Sequence, residues 1–98
     1  MPFDHPIPRP FTSNSVETYA PISSGLYGIS NAREWIYIGE AENIRSALLN
    51  HLRDTQTALM RREPTGFVFE VCTQDRWQGR QNRLVQEYEP SCNRGFAR

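Results

Sequence analysis

The middle of the chain carries two short runs of strand-forming residues, separated by a polar stretch. The runs span residues 25–29 and 35–38, and residues 30–34 (Ser-Asn-Ala-Arg-Glu) have the length that closes a β-hairpin. Glycines at the ends of the runs would let the backbone bend or approach another chain segment closely. The pattern predicts an antiparallel hairpin in which the phenols of Tyr27 and Tyr37 project into a common neighbourhood.

Helical spacing follows the hairpin. Mostly apolar residues recur at intervals of three and four from Ile44 to Leu59, which predicts one continuous helix over residues 41–61. Ala47 and His51 lie four residues apart and therefore on the same flank of this helix. We expect both to face the sheet or the cleft beside it.

The last third of the chain predicts another strand and another helix. Residues 66–73 are rich in β-formers, and a helix is expected to begin at Asp75 and to end at Pro90. The order β-β-α-β-α predicts an α+β fold, in which helices flank a small, three-stranded, mainly antiparallel sheet. One face of the last helix carries a largely apolar row: Trp77, Gln81, Leu84, Val85 and Tyr88.

The N-terminal segment has a different character. Residues 1–10 contain four prolines, which exclude a helix or a central strand there. We expect either an extended arm that packs Phe3, Ile7 and Phe11 against the domain or a partly disordered segment. A short helical turn is predicted within residues 12–20.

The composition indicates one small globular domain of 98 residues, with 38% hydrophobic and 22% charged residues. No apolar run is long enough to span a bilayer, and the N-terminus does not resemble a signal peptide. We therefore expect a cytoplasmic location and no membrane partner. The net charge of zero argues against strong non-specific binding to nucleic acid. Cys72 and Cys92 lack metal-ligand spacing, so free thiols are expected.

Three parts of the chain together resemble the GIY-YIG nuclease domain. Residues 25–27 read Gly-Leu-Tyr, and residues 37–39, ten positions later, read Tyr-Ile-Gly; an Asn-Ile-Arg segment and His51 follow. Residues 81–93 match the closing helix and the tail of that family. The resemblance covers residues 24–93 and implies the same β-β-α-β-α arrangement. It divides the chain into an arm (1–23), a GIY-YIG-like domain (24–93) and a tail (94–98).

The resemblance also implies a site. In GIY-YIG nucleases one of two tyrosines helps to generate the nucleophile or acts as it. An arginine stabilises the charge on the scissile phosphate, and a glutamate holds a divalent metal ion. Tyr27 and Tyr37 match the two tyrosines. His51 falls where many members carry a histidine on the helix.

Two catalytic groups of the family are missing. Ala47 stands at the position of the arginine, and Gln81 stands at that of the glutamate. Arg45 is a poor substitute, because it lies about 200° around the helix from Ala47, and we expect it on the solvated surface. A neutral amide such as Gln81 holds Mg²⁺ far less well than a carboxylate. We therefore expect no metal site and a vestigial catalytic site of three side chains: Tyr27, Tyr37 and His51.

Three arginines form a stripe on the last helix: Arg76, Arg80 and Arg83, at i, i+4 and i+7. Such a stripe is either the solvated face of an amphipathic helix or a set of phosphate contacts for nucleic acid.

The leading hypothesis is a catalytically inactive or strongly impaired domain that acts as a binding module. Its favoured ligand is nucleic acid, such as DNA, and no cofactor is expected. One alternative is an active DNA endonuclease with a rearranged site, which would use Mg²⁺ or Mn²⁺ and a displaced carboxylate such as Glu40 or Glu87. Another is a protein-protein interaction module whose apolar patch involves Trp35 or Phe96.

Overall fold

The computed structural model describes Phe3 and residues 7–93. Phe96 therefore lies outside the described residues. The predicted α+β class is confirmed. In chain order the elements are β1 (Arg9–Pro10), α1 (Ser13–Tyr19), β2 (Gly25–Ser30), β3 (Trp35–Ala41), α2 (Ile44–Arg53), α3 (Ala58–Arg61), β4 (Gly66–Val71), a 3₁₀ turn (Gln74–Arg76) and α4 (Trp77–Tyr88).

The sheet is antiparallel and has the strand order β1-β4-β2-β3. The predicted hairpin is β2 and β3. The sheet has four strands where the sequence predicted three, because the proline-rich arm contributes β1, in which Arg9 pairs with Phe67. Pro10 has no N–H to donate to a ladder, and a two-residue strand at the edge of a sheet tolerates that loss.

Helices cover both faces of the sheet. On one face, α1 and α2 bury Val16 and Leu48 against Ile29. On the other face, α4 buries Leu84 against Leu26. In the part of the chain that the structure describes, no helix has the length and apolar character needed to cross a membrane.

The arm packs as predicted at two of its three apolar residues. Phe3 and Phe11 are buried, one on each face of the sheet. The prediction for Ile7 is wrong, since its side chain is 83% exposed. In an extended chain neighbouring side chains point to opposite sides, and Pro8 takes the side that faces Gly66.

The single helix predicted over residues 41–61 is two helices. α2 ends at Arg53 and α3 begins at Ala58. Two polar side chains bond to the backbone between them: Asp54 Oδ1 accepts from the Gln56 N–H, and Thr57 Oγ1 accepts from the Met60 N–H. Such local bonds offer the backbone an alternative to the helix, so the apolar spacing continues through a break in the hydrogen bonding.

The chain after α4 returns to the hairpin. Glu89 adopts the left-handed conformation that ends the helix. The N–H groups of Ser91 and Cys92 then donate to the carbonyl oxygens of Trp35 and Ile36, at 3.0 and 2.7 Å. The outer edge of β3 is thereby covered, and Cys92 lies near Tyr37.

Candidate functional site

Two tyrosines and a histidine meet on the α2 face of the sheet. Tyr27 comes from β2, Tyr37 from β3 and His51 from α2, and their ring centroids are 5.6 to 6.0 Å apart. The Tyr27 Oη atom lies 2.8 Å from His51 Nε2. The predicted common neighbourhood of the two phenols is confirmed.

Gly39 makes room for this arrangement. It pairs with Tyr27 across the hairpin, and a Cβ at Gly39 would lie 2.6 Å from both Tyr27 Oη and a ring carbon of Tyr37. Real Cβ atoms do not approach other atoms that closely, so the phenol of Tyr27 can reach His51 only because position 39 lacks a side chain.

Burial keeps the three groups uncharged at neutral pH. It raises the pKa of Tyr27, and Tyr37 and Glu40 raise it further. Burial, followed by Glu40, also raises the pKa of Tyr37. Burial lowers the pKa of His51, against a smaller opposite effect of Asp54. A phenol both donates and accepts, so the tautomer of the neutral His51 ring decides whether Tyr27 Oη donates to Nε2 or accepts from it.

The burial of His51 predicts an acid-sensitive contribution to stability. The pKa of His51 is below its unfolded value, so the unfolded chain takes up the proton first, and the free energy of unfolding decreases as the pH falls through the ordinary histidine pKa of 6.5 and below. Tyr27→Phe removes the hydrogen-bond partner of the imidazole and should cost about 1 kcal/mol of stability. The pKa of His51 should rise in this variant if the phenol donates to the neutral ring, and fall if the phenol accepts from the ring N–H. NMR titration of the His51 ring and urea unfolding measure both effects.

Tyr19→Phe is the matched control for this experiment, because Tyr19 is half exposed and packs against Arg9. It should leave the His51 titration unchanged. A His51 pKa at or above the ordinary histidine value in the wild-type protein would contradict the burial argument.

Two side-chain amides hold the edge of β3 next to the tyrosines. Asn93 is 6% exposed; its Oδ1 accepts from the Ile38 N–H at 2.6 Å, and its Nδ2 donates to the Ile38 carbonyl oxygen at 2.9 Å. Gln81 Nε2 donates to the same oxygen at 3.0 Å. The sequence analysis identified Asn93 only as part of the tail motif. It did not predict the contact with Ile38, because no local pattern indicates a contact with a residue 55 positions earlier.

Ala47 is half buried on α2, one turn before His51, and packs against the core on the tyrosine face. Gln81 points from α4 to the edge of β3, as its place in the apolar row predicted. Neither side chain brings a charge to the tyrosines.

The arginine stripe lies elsewhere. Arg80 forms a bidentate ion pair with Glu70, in which Nε and Nη2 donate to the two carboxylate oxygens at 2.6 and 2.7 Å. The two side chains are only 17% and 10% exposed. Glu70 is on β4, which β2 separates from β3, the strand of Tyr37. Arg76 and Arg83 are exposed. The interpretation of the stripe as a solvated face is therefore wrong for Arg80, because its guanidinium is bonded to the sheet.

Arg45 is not the solvated residue that we expected. It is half buried, and its Nε donates to the carbonyl oxygen of Ala20, at the end of α1, at 2.9 Å. The free carbonyls at a helix end attract such a donor. Arg45 thus joins α2 to α1 and does not reach the tyrosines.

The two cysteines, Cys72 and Cys92, are free thiols, as predicted. Within the described residues, no three His, Cys, Asp or Glu side chains form a group that could hold a metal ion.

The fold is similar to solved structures. One is the GIY-YIG N-terminal endonuclease domain of UvrC from Thermotoga maritima, bound to magnesium as its catalytic divalent cation. It is 25% identical with a TM-score of 0.66, over 80% of this chain and 94% of that one. A point variant of the same domain is 24% identical with a TM-score of 0.65, over 79% and 92% of the two chains. The chain has the GIY-YIG fold. No family model and no curated protein matches the sequence.

Among the residues that the structure describes, those around the tyrosines and Gln81 do not offer the donor set that a divalent metal prefers. At the position that we predict for a metal-holding glutamate, the nitrogen of Gln81 is bonded to the Ile38 carbonyl. That leaves one neutral oxygen, whereas Mg²⁺ favours charged carboxylates. Glu40, whose charge raises the pKa of both tyrosines, is exposed and follows Gly39 on the strand. The residues present therefore do not fit a metal of that kind.

Proposed function

We propose that this domain binds nucleic acid and does not cut it. The observation that carries the proposal is the state of Gln81 within a GIY-YIG fold: a neutral side chain, bonded to the sheet, stands where the resemblance implies a metal-binding carboxylate. Beside it, Tyr27, Tyr37 and His51 are in contact with one another.

The chemistry of the phenols supports the absence of cleavage. Burial, followed by Tyr37 and Glu40, raises the pKa of Tyr27 and so disfavours its ionisation to a nucleophilic phenolate. The half-buried Ala47 supplies no positive charge to offset the charge that develops on a phosphate in the transition state. We therefore assign the three-residue cluster to binding.

Nucleic acid is the ligand class favoured by the likeness to an endonuclease domain and by exposed arginines such as Arg76 and Arg83. The net charge of zero limits general attraction to a polyanion. We expect a modest affinity that depends on the shape of the nucleic acid.

Fluorescence anisotropy tests this function with labelled single-stranded, duplex and branched DNA, with Mg²⁺ present and across a salt series. We expect log K to fall with log salt with a slope of roughly −2 to −4, corresponding to a few phosphate contacts. Denaturing gels of the same samples should show uncut DNA. The double variant Arg76→Gln/Arg83→Gln should reduce the slope by about 2, whereas Arg33→Gln/Arg53→Gln, with the same loss of charge at exposed sites, should not.

Absence of binding even at about 50 mM salt would exclude nucleic acid and direct the search to a protein partner. Metal-dependent cutting that Tyr27→Phe abolishes would instead establish the alternative of an active nuclease with a rearranged site.

A further inference from the structure

An open cavity of about 520 Å³ adjoins the tyrosine-histidine cluster. It lies between β3, α2, α3 and the segment that follows α4. Its lining includes the aromatic residues Tyr37 and His51 and the apolar residues Leu59 and Cys92. Its volume falls within the range of sites for small molecules, about 300 to 1,000 Å³.

The wall of this cavity contains a buried polar atom without a partner. Ser91 Oγ is shielded from solvent and makes no hydrogen bond to any described residue. Most buried hydroxyls in proteins are hydrogen-bonded, so the hydroxyl of Ser91, a residue of the cavity lining, is free to bond a partner that the chain does not supply. Thr57, another polar residue of the wall, already accepts from the Met60 N–H as the cap of α3.

A positive charge stands at the rim. Arg62 lines the cavity, and its side chain is 51% exposed. Its ion pair with Glu34 is long, at 3.5 Å, and lies at the surface, where such pairs contribute little to stability. The guanidinium is therefore available to an anionic group at the mouth of the cavity.

We propose that the cavity binds a single unstacked nucleotide. The base stacks on one of the rings of Tyr37 and His51, which meet edge to face at 61°. One edge of the base bonds to Ser91 Oγ once that hydroxyl rotates toward the cavity, and the phosphate binds Arg62. Together, these walls can recognise an aromatic base, one hydrogen bond at the edge of that base and one anionic group. The nucleotide is either a free nucleoside monophosphate or an extrahelical nucleotide of a strand, and in the second form the inference rests on the proposed function.

Two probes separate these sources. Deoxyadenosine monophosphate at millimolar concentration, followed by calorimetry, reports the free nucleotide. A duplex with one bulged 2-aminopurine, compared with its fully paired counterpart, reports the extrahelical one by fluorescence. We expect the bulged duplex to bind at least about tenfold more tightly than the paired duplex, because stacking of one base contributes that much.

Matched variants locate the binding. Ala58 is exposed and lines the cavity, so Ala58→Trp should fill it and reduce binding of the bulged duplex by about tenfold. Gln56→Trp places the same ring two residues away, outside the cavity lining. Arg62→Gln should weaken binding of both probes about fivefold, whereas Arg61→Gln removes the same charge beside it and should not.

Each outcome of these experiments either supports or overturns the inference. Loss of binding in Ala58→Trp but not in Gln56→Trp supports the cavity. If the paired and bulged duplexes bind equally to every variant, the inference fails while the proposed function stands. If the monophosphate binds and is lost in Ala58→Trp while no DNA binds, the cavity is supported and the proposed function fails. If neither probe binds, both fail.

Discussion

The double variant Ala47→Arg/Gln81→Glu is expected to cut DNA in the presence of Mg²⁺ or Mn²⁺, whereas the wild-type protein is not. Position 47 lies one helical turn from His51, and position 81 points to the edge of β3 beside Tyr37. The two substitutions place a positive charge and a metal-holding carboxylate next to the tyrosines. Each such electrostatic group contributes roughly 10² to 10³ in rate, so denaturing gels should show cutting about 10² or more above the wild-type background.

Stability and cleavage should change in opposite directions in this variant. The carboxylate of Gln81→Glu cannot donate to the Ile38 carbonyl, and the lost bond should lower the free energy of unfolding by about 1 to 2 kcal/mol. Urea unfolding measures that loss.

The control Ser46→Arg/Gln86→Glu introduces the same charges at exposed positions of α2 and α4, and it should remain inert. A folded Ala47→Arg/Gln81→Glu variant that binds DNA without cutting it would show that these are not the positions of the missing groups.

Gly25→Ala is expected to destabilise the protein by about 4 kcal/mol or more, beyond the usual range of single substitutions. Gly25 lies in β2, which is paired on both sides, and a Cβ there would overlap the carbonyl oxygen of Glu70. It would also lie 2.9 Å from the Cδ1 atom of Ile44 and from the Cα atom of Val71. Neither backbone contact can be relieved by a side-chain rotation, so the strand or its neighbour must shift.

The same substitution at Gly79 should have the opposite sign. Gly79 is in α4, and a Cβ there meets nothing within 4 Å, so Gly79→Ala should stabilise the helix by about 0.5 to 1 kcal/mol. Chemical unfolding of the two variants beside the wild type measures both effects. A Gly25→Ala protein with wild-type stability would contradict the packing of β2 described above.

Local patterns determined most of the fold. The strand-turn-strand run, the apolar spacing of α2 and the last strand-helix pair are properties of neighbouring residues, and each was found where it was predicted. The break between α2 and α3 was missed, because Asp54 and Thr57 change the hydrogen bonding without interrupting the apolar spacing. Strand β1 was missed because two residues that include a proline carry no strand signal of their own.

The candidate site divides in the same way. The positions of Tyr27, Tyr37 and His51 follow from motif spacing, and the structure brings the three rings together. The surroundings of the site could not be read from the sequence. The ion pair of Arg80 with Glu70 removed one residue from a stripe that helical spacing had grouped.

The sequence by itself determined most of the elements and the tyrosine-histidine grouping. That Ala47 and Gln81 stand where the family has its arginine and glutamate stays a prediction. Only the tertiary structure decided that Asn93 and Gln81 hold Ile38, and that Ser91 and Arg62 share a cavity beside the tyrosines. Those contacts join distant segments, and their partners are chosen by the packing of whole elements. The spacing of residues along one helix or strand therefore does not predict these contacts.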